Sequence, residues 1–243
     1  DVNKDKSAFA CTPSEAVSNK DKGLFSVFIG LENGSPVGQS LEKLRMFHQY
    51  GVRYMTLCHS GNNEICDSCA PKIKRWNGLS PFGREVVAEM NRIGMLIDVS
   101  HVSDDTFYDV IRHSTKPVVA THSCCRSLAD HPRNMTDDMI RALAAAGGVI
   151  QINFYPLFLD YEFSGVLKSS GIMERGESVE REFILDPADP LKRASWNRIQ
   201  DELMALKRPS YKRVVDHIDH VVEIAGIDHV GIGSDYDGIA VTP

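Results

Sequence analysis

Positive charge is in short supply in this chain. Its 27 Lys and Arg stand against 33 Asp and Glu, a formal net charge of −6. No basic stripe is present to grip nucleic acid or an anionic lipid surface, so neither partner is expected. Long apolar runs are also lacking. The longest fall far short of the roughly 20 residues that cross a bilayer, which excludes a transmembrane segment. The opening residues DVNKDKSAF are polar and lack the apolar stretch of a secretory signal, so the compartment, cytoplasmic or exported after signal removal, stays open. There is no internal repeat, low-complexity tract or linker to mark a second domain. Cysteine is present six times in 243 residues, too sparsely for a small disulfide-stapled scaffold. Cys66 and Cys69 form CDSC, but no second pair stands at zinc-ribbon spacing and no thioredoxin-like pattern surrounds it. Cys124 and Cys125 follow a histidine at a strand end, where a thiolate could ligate a metal; neighbouring loop thiols are the plainer reading.

What the chain does have is ordinary globular composition, 42% hydrophobic and 25% charged, enough for one large α/β barrel or two smaller domains, the single barrel over residues 1–243 being the preferred reading. Six short apolar runs each end on a polar residue able to do chemistry: SVFIGLE at Glu32, RYMTLCH at His59, MLIDVSH at His101, PVVATH at His122, GVIQIN at Asn153 and HVGIGSD at Asp235. Parallel strands of a β/α barrel deliver functional groups to one rim in this way. Helix-sized segments separate the runs. Ser80, Pro81 and Gly94 punctuate SPFGREVVAEMNRIG as N-cap, first turn and stop, while Ser103 and Thr136 open the next two helices. Buried β-branched strands with helices between them predict parallel pairing and right-handed crossovers. From Pro156 to about Pro209 the rhythm breaks. This insertion, expected to carry one helix near Ser195–Lys207, leaves from the same rim and reads as a lid, a substrate wall or a subunit contact.

A lone histidine in an apolar strand is usually a satisfied core residue, and His59 taken alone reads that way. The set reads differently. His101 and His122 end successive strands 21 positions apart with one helix between them, so their imidazoles can converge. With Glu32 they make two His and one carboxylate, a zinc set that leaves a position open for water. Asp235 and Asp237 in GSDYDG offer a carboxylate for proton transfer, or an Asx turn before Gly238. Asp98 lies within its strand and is expected to orient a histidine.

These blocks, GLENG, GVRYMTLCHSGNN, GLSPFGREVVAEMNRIGMLIDVSHVS, THSCCRSLADHPRNMTDDMI and GIGSDYDG, resemble in order the renal (membrane) dipeptidase family of zinc metallopeptidases. The resemblance implies a (β/α)8 TIM-type barrel, two zinc ions in a complete site and hydrolysis of dipeptides, often with a C-terminal D-residue, by metal-activated hydroxide. By motif, Glu32 would bridge the metals and His101 and His122 would hold one of them. His59 would contact substrate and oxyanion, Arg133 would bind the dipeptide carboxylate with its planar fork, and Asp235 would be the acid/base.

The family's His-x-Asp strand, which binds the second metal, does not occur before Glu32. Six of eight strands are recognised, and residues 1–22, with the capped segment TPSEAV, read as helix and loop. The chain is therefore expected to be part of a longer barrel, truncated at both ends, with one zinc rather than two. Two other readings stand beside the dipeptidase: another metal-dependent amidohydrolase acting on an amide or lactam, and a catalytically incompetent barrel used for binding. Mn²⁺ or Fe²⁺ could use the same donors. Side-chain preference and oligomeric state, a homodimer included, are left open.

Overall fold

The computed structural model describes residues 3–243. Strands β1 (Ser7–Phe9), β2 (Phe25–Val27), β3 (Ile29–Glu32), β4 (Val52–Thr56), β5 (Leu96–Asp98), β6 (Val119–Ser123), β7 (Val149–Ile152) and β8 (Val230–Ile232) alternate for the most part with helices. The helices are α1 (Pro13–Asp21), α2 (Leu41–Gln49), α3 (Pro81–Ile93), α4 (Asp104–His113), α5 (Asp137–Ala145), α6 (Pro156–Leu159), α7 (Tyr161–Ser170), α8 (Ile172–Leu185), α9 (Pro190–Ala205) and α10 (Lys212–Ala225). The chain forms two compact units. One runs through Thr121 and takes in Arg141–Val149; the other comprises His122–Ile140 and Ile150–Pro243.

In the first unit β1 pairs with β2, and β3, β4, β5 and β6 pair in sequential order, all parallel. Sequential order with a helix after each strand is the barrel type of winding, not the doubly wound one. The helices start where their caps dictate. Thr12 opens α1 with a reciprocal capping box to Glu15, Ser80 caps α3 with Pro81 in its first turn, and Ser103 caps α4 above an acidic first turn. Gly94 closes α3 at φ +76°, a left-handed conformation that glycine adopts without cost. Leu44, Met55, Val86, Met90, Ile97, Phe107 and Val110 are fully buried among these strands and helices, each contributing about 1.5–3 kcal/mol for an aliphatic or aromatic side chain of that size.

In the second unit β7 and β8 pair in parallel, Ile150 opposite Val230, and the Asn153 amide after β7 donates to the Ser123 carbonyl of β6 at 3.1 Å. Phe163, Leu167, Ile172 and Ile199 form a separate apolar cluster beneath α7, α8 and α9.

Two sequence expectations change. Ser7–Phe9 is a strand, where helix and loop alone were expected, and SVFIGLE is two strands broken at Phe28. The long segment from Pro156 carries four helices, not one near Ser195–Lys207. Its apolar residues are spent on one another in the α7–α9 cluster.

Candidate functional site

The first unit assembles a three-donor cluster. Strand β3 ends at Glu32 and turns at once: Asn33 has φ +77°, and its side chain accepts from the Ser35 amide at 3.1 Å. Three residues beyond β5 stands His101, also left-handed at φ +69°. A non-glycine residue held there costs about 1–3 kcal/mol, so its surroundings must determine it. They do. The His101 carbonyl accepts from the Cys69 amide at 2.8 Å and from Cys58 Sγ at 3.7 Å. His59 follows β4 by three residues; its carbonyl accepts from Ser68 Oγ at 2.5 Å, and its Nδ1 lies 3.1 Å from Ser60 Oγ.

The result is a set of polar atoms facing one another. His101 Nε2 is 3.2 Å from Glu32 Oε1, and the His59 and His101 rings lie 4.3 Å apart between centroids at 37°. One ligand atom from each of Glu32, His59 and His101 lies within 4.8 Å of the others. Two imidazoles and a carboxylate fit a divalent metal of the zinc type and leave coordination positions over. Glu32 and His59 are exposed and His101 is mostly covered, so the cluster is open on one side.

The loop between β4 and α3 backs this cluster. Buried Asp67 accepts from the backbone amides of Arg75, Trp76 and Gly78 at 2.8, 3.0 and 3.4 Å. Buried Asn63 takes the Ile65 and Cys66 amides and donates to the Leu57 carbonyl. The two side chains supply the hydrogen bonds that a 20-odd-residue loop cannot obtain from a ladder.

The second unit holds the other predicted residues. His122 lies buried in β6, and the Arg133 guanidinium donates from Nη2 to its carbonyl at 2.9 Å. Arg133 is itself buried and lies over the Phe158 ring at 5.3 Å. Asp235, three residues beyond β8 and left-handed at φ +61°, accepts from Asn153 Nδ2 at 2.8 Å. Asp237 is exposed. Thus the structure brings Glu32, His59 and His101 together, and it joins Arg133 to His122 and Asp235 to Asn153.

Asp98 bonds no imidazole directly, as an orienting carboxylate would. Its carboxylate is taken by Thr56, Ser100 and Thr121. Cys124 and Cys125 behave as packing thiols. Burial pushes Cys124 well above the usual thiol range and Cys125 up to about 12, and their Sγ atoms donate to the carbonyls of Asn153 and His217. Asn153 was visible in the sequence as a polar strand end without a task; its task is to hold Asp235.

The sequence profile of the membrane dipeptidase family (peptidase family M19) matches residues 2–243. Dipeptidase verJ of Clonostachys rogersoniana is 34% identical over 238 residues, covering 98% of this chain and 50% of that protein. Among solved structures, the protein PvdM of Pseudomonas aeruginosa, described as a probable dipeptidase, is similar at 28% identity and a TM-score of 0.79, covering 96% of this chain and 63% of that one. A metallo peptidase from Rhodobacter sphaeroides, solved with a phosphinate mimic of the dipeptide L-Ala-D-Ala, is similar at 26% identity and a TM-score of 0.74, covering 98% and 58%. The chain spans about half the length of the curated relatives it matches. Its parallel α/β fold is of the TIM-barrel-like type of these neighbours, and the chain belongs to the membrane dipeptidase family, peptidase family M19.

Proposed function

We propose that this protein is a zinc-dependent dipeptidase that hydrolyses the peptide bond of dipeptides bearing a free C-terminal carboxylate. The observation that carries the reading is the Glu32/His59/His101 cluster at the strand ends, with Glu32 and His101 as metal donors and His59 beside them, in a chain of this family. The dipeptide mimic bound to the Rhodobacter relative supports the substrate class.

Glu32 and His101 are the residues of this cluster that would hold metal. A divalent cation there supplies a Lewis acid for the scissile carbonyl and lowers the pKa of a water. The chain's own residues do the rest. His59, close to the metal donors, gives a hydrogen bond to the oxygen on which negative charge develops as the carbonyl is attacked. Asp235, held by Asn153, takes the proton from the attacking water and returns it to the amine as the C–N bond breaks; water is thereby divided between the new acid and the new amine. Arg133 pairs with the substrate's terminal carboxylate, a fork-to-carboxylate match that selects short peptides. Phe158 of α6 packs on Arg133, which supports residues 156–209 as a wall of the substrate site.

The test uses L-Ala-D-Ala, its C-terminal amide and a tripeptide. Hydrolysis of the free dipeptide with the amide slower by at least tenfold is expected. Equal cleavage of dipeptide and amide would remove Arg133 from the reading. Asp235→Asn should lower kcat about 10²- to 10⁴-fold; unchanged turnover would remove the acid/base.

A further inference from the structure

Asp98 is a fully buried carboxylate placed where β4 and β5 end beside the start of β6. Register runs Tyr54 opposite Leu96, Met55 opposite Ile97 and Thr56 opposite Asp98, and Asp98 is opposite Val119 on the other side. At this level β4 and β5 both end, at Thr56 and Asp98. The Asp98 side chain takes over there. Oδ2 accepts from Thr56 Oγ1 at 2.5 Å and from Thr121 Oγ1 at 2.6 Å; Oδ1 accepts from the Ser100 amide at 2.9 Å and the Thr121 amide at 3.0 Å. All four bonds go to strands or strand ends, two hydroxyls on one oxygen and two amides on the other, which fills the acceptor capacity of a carboxylate.

Each strand in this clasp leads directly to a histidine. Thr56 is three residues before His59, Asp98 three before His101, and Thr121 immediately precedes His122. The left-handed backbone of His101 is reached from Asp98 through Ser100, whose amide the carboxylate fixes. A buried charge with four donors is a poor source of net stability compared with apolar packing, but it defines position narrowly.

We propose that Asp98 is a positioning residue for the metal- and substrate-binding histidines, acting through the hydroxyls of Thr56 and Thr121 and the Ser100 amide and not by contact with any imidazole. This rests on the metal-site reading above. The chemistry accounts for the residue types: threonine supplies a β-branched strand former and a hydroxyl donor in one side chain, and aspartate is short enough to reach both neighbours from a central strand.

The experiment compares wild type with Asp98→Asn, Thr56→Val and Thr56→Ser. Asn and Val preserve volume while removing an acceptor or a donor; Ser restores the hydroxyl. Cobalt(II) binding is read by its visible absorption and by competition with a chelator, folding by circular dichroism, and ring order by histidine NMR of the metal-free protein. The expected result is folded variants in which Asp98→Asn and Thr56→Val weaken cobalt binding about 10- to 100-fold, alter the cobalt spectrum and shift the His59 and His101 ring signals, with Thr56→Ser near wild type. Folded variants with wild-type affinity, spectrum and ring signals would overturn the proposal, as would losses that track unfolding alone. A wild type that binds no cobalt, while its ring signals still move on Asp98→Asn, supports the positioning role and instead removes the metal reading.

Discussion

At the scale of single residues, one buried and one half-buried histidine of the second unit carry a pH dependence whose sign follows from their surroundings. His217 is fully buried; its Nδ1 accepts from the Cys125 amide at 3.0 Å and its Nε2 donates to the Leu159 carbonyl at 3.0 Å. Burial, the main cause, holds its pKa below the usual histidine value. His131 is pushed down to about 4, first by burial and then by Arg133 and Arg126, and its Nδ1 accepts from the Arg133 amide at 3.1 Å. Both rings resist protonation in the folded chain more than in the unfolded one. Their contribution is therefore complete above pH about 6.5 and is lost as pH falls from there, for His131 toward about 4, because the unfolded state takes up the protons first. Urea midpoints measured at pH 7.5, 6 and 5 should fall steadily, and His131→Gln should flatten the decline. A midpoint independent of pH over that interval would contradict the assignment.

Elements show where local rules suffice and where they do not. The caps at Ser80, Ser103 and Thr136 and the strands of the parallel sheet were legible because their signals lie within a few residues: a hydroxyl before a helix, β-branched runs between turns. Glu32, His59 and His101 were legible for the same reason, as polar ends of apolar runs. Asp67 and Asn63 were not, nor was the partner of Asn153, because their partners are backbone amides and side chains that only the folded chain brings near. Residues 156–209 were read as mostly irregular because the apolar residues of α7, α8 and α9 pack on one another and so give no stripe matched to the sheet. Gly83 is the sharpest case. In α3 its helix propensity is poor by about 1 kcal/mol against alanine, which a sequence reading counts as a flaw. A Cβ there would lie 2.1 Å from the Ile65 carbonyl oxygen, so the glycine is what lets α3 approach the loop carrying Asn63 and Asp67. Gly83→Ala should destabilise by about 1–3 kcal/mol despite its better propensity. Gly165→Ala in α7, where nothing stands within 4 Å, should stabilise by about 0.5–1 kcal/mol. Chemical denaturation of both variants checks the contrast, and a stabilised Gly83→Ala would refute the close approach.

At the scale of the whole molecule, the distribution of the donors predicts how metal and stability are linked. Glu32, His59 and His101 all belong to the first unit, and each follows or ends a strand whose neighbours are in register with it. A metal held by Glu32 and His101, with His59 of β4 beside it, cross-connects β3 and β5 beyond the point where their backbone pairing with β4 ends. The cross-connection exists only in the folded chain, since unfolding separates two ligands that lie 69 positions apart. Free metal at 100 times its dissociation constant should then add about 2.7 kcal/mol to the stability of that unit. The effect has a location as well as a size. Hydrogen exchange with and without zinc should slow most at residues 29–32, 52–59 and 96–101, with the α7–α9 cluster changing least, and a chelator should reverse it. Protection confined to α7–α9, or none at any zinc concentration, would mean that Glu32 and His101 do not bind metal, and the dipeptidase reading would lose the observation on which it stands.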